Sequence, residues 1–138
     1  MTLPLTRLTM LLAMLLAAGL VISFSGCEDA AEKPLLVPAT GKVTHKGQGL
    51  TAGSITFFPD RDAEYQKDSP TSLLQLDGSF TMKTFPFGDG VAPGKYKVCL
   101  SPALAGGIKL PAYADFTKTP WEVEITDTGK TDIVLEAK

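Results

Sequence analysis

The sequence predicts an all-β protein, a two-sheet sandwich preceded by a signal peptide. Two patterns across residues 39–138 predict the sandwich. Short runs alternate apolar and polar residues with period two, and clusters of Gly, Pro and Asp separate those runs at fairly regular spacing. A third observation agrees: no stretch of helical periodicity occurs after residue 27.

Seven strands are expected. Residues 40–44 (TGKVT) form the first, ended by a turn in which Gly47 and Gly49 supply permissive backbone. Residues 54–58 (SITFF) put Ile55 and Phe57 on one face and stop at Pro59. The polar run 60–70 (DRDAEYQKDSP) reads as an exposed loop. Residues 72–84 read as a hairpin around Asp77-Gly78, a dipeptide that tolerates the positive φ of a tight turn. That pairing puts Leu73 on one face with Phe80 and Met82.

Residues 85–94 form a loop rich in Gly and Pro. Residues 95–101 (KYKVCLS) alternate most cleanly: Tyr96, Val98 and Leu100 point one way, Lys95, Lys97 and Cys99 the other. Residues 102–120 form a long connection whose prolines and glycines exclude a stable helix. The last strands are 121–126 and 131–136, turning at residues 127–130. The expected core is Val43, Ile55, Phe57, Leu73, Phe80, Met82, Tyr96, Val98, Leu100, Trp121, Val123, Ile125, Ile133 and Leu135. Burying a large apolar side chain contributes about 1.5–3 kcal/mol, so this set can offset the chain's ordering entropy.

The N-terminus has a different character. Residues 10–22 (MLLAMLLAAGLVI) carry no charge and no hydroxyl, and the only charge before them is Arg7. A membrane-crossing helix needs about 20 apolar residues, so this shorter run suits the apolar centre of a signal peptide. It ends in Phe24-Ser25-Gly26-Cys27, which resembles the bacterial lipoprotein box; Phe24 stands where Leu is commoner. The resemblance implies a diacylglyceryl group on the Cys27 sulfur, cleavage after Gly26, and a chain held to a membrane by lipid. Two or more acyl chains anchor stably where one holds weakly. Residues 1–26 are then a lipoprotein signal peptide, 27–38 the lipidated Cys and a tether, and 39–138 the sandwich domain.

Composition excludes several functions. Loss of residues 1–26 removes Arg7 alone among the charges, and Arg61 is then the only arginine. That leaves no basic footprint for nucleic acid and no polybasic grip on anionic lipid. With Cys27 lipidated, Cys99 has no partner in the chain and reads as a small buried side chain. His45 is the single histidine, too few for a three-ligand catalytic zinc, and no G-x-S-x-G elbow is present for a serine nucleophile. Asp60, Asp62 and Glu64 are close in sequence but lack the ordered spacing of an EF-hand. The absence of asparagine removes N-glycosylation.

Residues 41–59 (GKVTHKGQGLTAGSITFFP), followed by LDGSFTM, GDGVAPGKYKVCLS and LPAYADFTKTPWEVEI, resemble in order and spacing the carboxypeptidase-regulatory-like, transthyretin-like lipoproteins of planctomycete type. The resemblance covers roughly residues 38–138. It implies a seven-stranded prealbumin-like, Ig-like sandwich with no catalytic residues to carry over. Some transthyretin-like proteins are purine-catabolic hydrolases that use several histidines; one histidine sets this chain apart from them.

The functional expectation is a non-enzymatic, lipid-anchored module of the cell envelope, without cofactor or metal. It presents its loops to a protein or glycan partner, with Tyr113, Asp60 and Asp62 as the candidate binding surface. The alternative is a small envelope enzyme or carbohydrate-binding accessory built on loops 60–70 and 102–120. Convergence of Asp60, Asp62, Glu64 and His45 in one pocket favours that alternative; an exposed Tyr113 favours binding.

Overall fold

In the computed structural model the described residues are 32–138. The signal peptide, Gly26, Cys27 and the first part of the tether lie outside them. The described chain is mostly β, in two sheets. No helix in it is long and apolar enough to cross a membrane.

Ten strands occur among the described residues, where seven were expected: β1 (Ala39–His45), β2 (Gln48–Gly49), β3 (Ser54–Pro59), β4 (Thr71–Leu73), β5 (Ser79–Thr81), β6 (Lys83–Thr84), β7 (Gly88–Asp89), β8 (Gly94–Leu100), β9 (Glu122–Ile125) and β10 (Lys130–Ala137). The first sheet is centred on β1, which pairs in parallel with β10 and antiparallel with β2 and β5. The second runs β7-β6-β4-β3-β8-β9, antiparallel throughout. Their inner faces meet in one core. Phe57 of β3 and Phe80 of β5 cross from sheet to sheet, ring centroids 6.1 Å apart and edge to face. Every expected core residue is buried except Leu73.

Leu73 is 73% exposed and its neighbour Leu74 is buried. The turn at Asp77-Gly78 forms as expected, with the Gly78 N–H donating to Gln75 O at 2.9 Å. Its two arms, however, enter different sheets: β4 pairs with β3, and β5 pairs with β1. Opposite Ser54, Leu73 takes the outer face; Leu74 leaves the strand with its N–H on Gly53 O and turns inward.

Residues 102–120 also depart from expectation. They contain a short helix α1 (Pro102–Gly107) and a 3-10 turn η1 (Pro111–Ala114). Each begins with its proline, where the missing N–H has no bond to lose and the fixed φ suits a helical start. The prolines therefore start these turns. Leu104, Ile108 and Leu110 then pack against the core.

Pairing begins before residue 39. Val37 is buried and forms an antiparallel bridge with Val91, with N–H to O distances of 2.9 Å both ways. Chain entry defines one end of the sandwich. Lys130 donates to Pro38 O there, placing the β9–β10 turn beside it, and the Glu64 N–H donates to Pro93 O, holding loop 60–70 at the start of β8. The opposite end carries the β1–β2 turn at Lys46-Gly47, the turn at Asp77-Gly78, α1, and the end of β10.

Candidate functional site

The expected site residues do not converge. His45 ends β1 at the far end, where its Nδ1 lies 2.8 Å from Ala137 O. Asp60, Asp62 and Glu64 hang from Pro59 at the entry end. The acid–base pairing that a small hydrolase needs is thus split across the length of β1.

Tyr113 is buried rather than exposed, which removes it from the candidate binding surface. Its ring packs edge to face on Trp121, centroids 4.5 Å apart. The hydroxyl accepts the Lys138 N–H at 3.1 Å and lies 3.4 Å from Lys138 O, to which it donates. Trp121 Nε1 donates to Glu136 O at 3.3 Å. These contacts hold the last turn of chain onto the sandwich. The η1 turn aims Tyr113 inward, and its partners lie far along the sequence.

Two surface features remain. The first is an open hollow of about 350 Å³ lined by Asp62, Glu64, Glu124 and Asp127 over Pro93 and Gly94. Loop 60–70 contributes the first two carboxylates. The pairing of Lys95 with Glu124 brings in β9 and, beyond it, Asp127. Among the described residues no three His, Cys, Asp or Glu are grouped to hold a metal. Asp60 does not line the hollow, and its carboxylate accepts the Arg61 N–H at 2.8 Å. Glu64 also acts on the buried Tyr96, whose phenol is pushed up to about 12, mainly by burial and secondarily by this carboxylate. Sequence reading missed Glu124 and Asp127. The signal was present in the outward parity of Glu124, but its meaning depended on strand pairing.

The second feature is a groove of about 380 Å³ on the outer face of β4 and β6, lined by Thr71, Leu73, Gln75, Thr81, Lys83 and Phe85. Leu73 and Phe85 are 73% and 69% exposed, so its floor offers apolar contact.

Cys99 lies on the outer face of β8 and is nevertheless 2% exposed. Phe116 folds back over the neighbouring Phe58, ring centroids 5.9 Å apart, on the same face. Burial pushes the Cys99 thiol up, and the charge of Asp115 pushes it further. The thiolate, the reactive form, is therefore disfavoured. In a Cys27→Ala chain, an aromatic disulfide reagent is expected to modify Cys99 slowly under native conditions and rapidly in urea. Equal rates would show an accessible thiol.

Two carboxylates, the exposed Asp77 and the partly buried Asp115, are held below the ordinary value of 3.8. Asp77 is lowered first by its hydrogen bond with Ser79, and Asp115 first by its hydrogen bond with Thr117. A lowered folded pKa gives stability that is present above the ordinary value and lost as pH falls through the folded one. Melting temperature should therefore fall below about pH 4, and Asp77→Asn with Asp115→Asn should flatten that fall. An unchanged acid slope in the double variant would remove both carboxylates as its source.

Neither family models nor curated proteins match this chain. Among solved structures it is similar to a DUF3823 family protein from Parabacteroides merdae, at 18% identity and a TM-score of 0.45. The match covers 75% of this chain and 46% of that one, so this chain spans less than half of that protein's length.

Proposed function

We propose that this protein is a non-enzymatic, lipid-anchored module of a bacterial cell envelope. Its sandwich belongs to the carboxypeptidase-regulatory-like, prealbumin-like type and is presented to a protein or glycan partner. The observation that carries the reading is the seam at Phe24-Ser25-Gly26-Cys27. A cysteine follows the apolar run at once and lies ten residues before Val37, where the chain enters the sandwich. A cysteine directly after such a segment has a direct use as an attachment point for lipid. Supporting it, the single histidine serves a backbone carbonyl far from the carboxylates, which favours presentation over catalysis.

Intact mass of the protein extracted from its own membranes tests the proposal. The expected species starts at Cys27 and carries diacylglyceryl mass, with an added acyl group on the new amine. Cys27→Ala should move the protein to the soluble fraction. A mature chain starting after Cys27, or one at Cys27 without lipid mass, refutes the anchor.

A further inference from the structure

We propose that the anchored sandwich stands on its entry end, with loop 60–70 and the β9–β10 turn facing the bilayer and the far end presented outward. This rests on the lipid-anchor reading and adds an orientation to it.

The argument is one of reach. Going back from β1, the chain does not leave the domain at Val37. Residues 32–35 run alongside loop 60–70, where Glu32, Lys33 and Leu35 share a hollow with Glu64, Tyr65 and Lys67. Five residues of sequence, 27–31, then separate the lipid-bearing position from Glu32. Fully extended, five residues span about 17 Å. The seven residues of β1 alone rise about 23 Å from the entry end to the far end. A leash shorter than the sandwich cannot bring the far end to the membrane unless residues 32–35 peel off loop 60–70. Pro34 and Pro38 keep that stretch extended and oppose its folding back.

The entry end carries charges of both signs, the open hollow of Asp62, Glu64, Glu124 and Asp127 together with Lys33, Lys67 and Lys130. The surface left for a partner is the far end, where Leu76 is 92% exposed beside the β1–β2 turn. Loop 60–70, which sequence alone favoured for binding, faces the wrong way for a large envelope partner.

Amine footprinting by mass spectrometry tests this without substitutions. The mature chain is placed on phosphatidylcholine–phosphatidylglycerol vesicles, which carry no primary amine, either through its native lipid or through a maleimide lipid on Cys27. An amine-reactive ester then reads its exposed lysines against the same chain free in solution. Lys33, Lys67 and Lys130 at the entry end are expected to react several-fold more slowly on vesicles, while Lys46 and Lys109 at the far end keep their rates. Slowing of Lys46 and Lys109, or equal rates at both ends, overturns the orientation. Native mass at Cys27 reads the anchor separately, and the maleimide arm tests orientation even for a chain that carries no native lipid.

Discussion

Phe57→Ala is expected to destabilise the sandwich by about 3–5 kcal/mol, the range for losing a fully buried aromatic ring. Phe57 is 0% exposed. It lies edge to face with Phe80 of the opposite sheet and 5.9 Å from the Tyr96 ring of the adjacent strand. Its backbone N–H donates to Pro70 O at 2.8 Å, fixing where loop 60–70 rejoins the second sheet. One side chain thus contacts both sheets, and its removal opens a void that neither sheet can close alone. Domains of this kind are stable by about 5–15 kcal/mol, so the loss is a large fraction of the total. Each kcal/mol moves the melting temperature by about 4–8 °C at this size, and the variant should melt at least about 12 °C lower. Near-ultraviolet circular dichroism of the purified domain would follow it. Phe57→Leu retains much of the volume and should recover most of the loss. A fall of only a few degrees for the alanine variant would mean that the two sheets do not share this ring.

Such a ring was legible in sequence because β3 alternates over six residues, long enough for period two to separate faces. β8, β9 and β10 were legible for the same reason, down to the inward Ile133 and Leu135. The pattern failed where strands are too short to show a period. β4 has three residues, and nothing within them decides whether Leu73 or Leu74 turns inward. That choice is made by Ser54 and Gly53, far back in the chain.

Tyr113 failed differently. A tyrosine between two prolines in a connection broken by Pro and Gly looks like a surface residue. Its burial depends on Trp121 and on the end of β10, which reach it only after the sheets have closed. Asp62 and Glu64 were recognisable as a charged loop. Their meeting with Glu124 and Asp127 follows from strand pairing, which composition does not encode.

Gly78→Ala is expected to be strongly disruptive at the far end. Gly78 has φ of +83°, in the left-handed region, and its carbonyl accepts the Val43 N–H at 2.9 Å. A Cβ there would stand 2.3 Å from Val43 O, 2.8 Å from Gly49 Cα and 2.9 Å from Leu50 N. All three are backbone atoms, so no side chain can swing aside to make room. Either β1 or the start of the connection to β3 must move, weakening the Val43 N–H bond that ties this turn to the first sheet and the neighbouring Leu50 N–H bond to Val43 O. Backbone strain and the lost bonds together should cost at least about 3 kcal/mol. Gly47→Ala is the matched control. Its φ is +80°, but a Cβ there meets nothing within 4 Å, so only the left-handed penalty of about 1–2 kcal/mol applies. Urea unfolding of both variants separates the two contributions, since φ is nearly the same and only the crowding differs. A Gly78 variant no less stable than the Gly47 variant would mean that the turn does not press on β1. The far end would then lack the rigid frame that holds Leu76 outward.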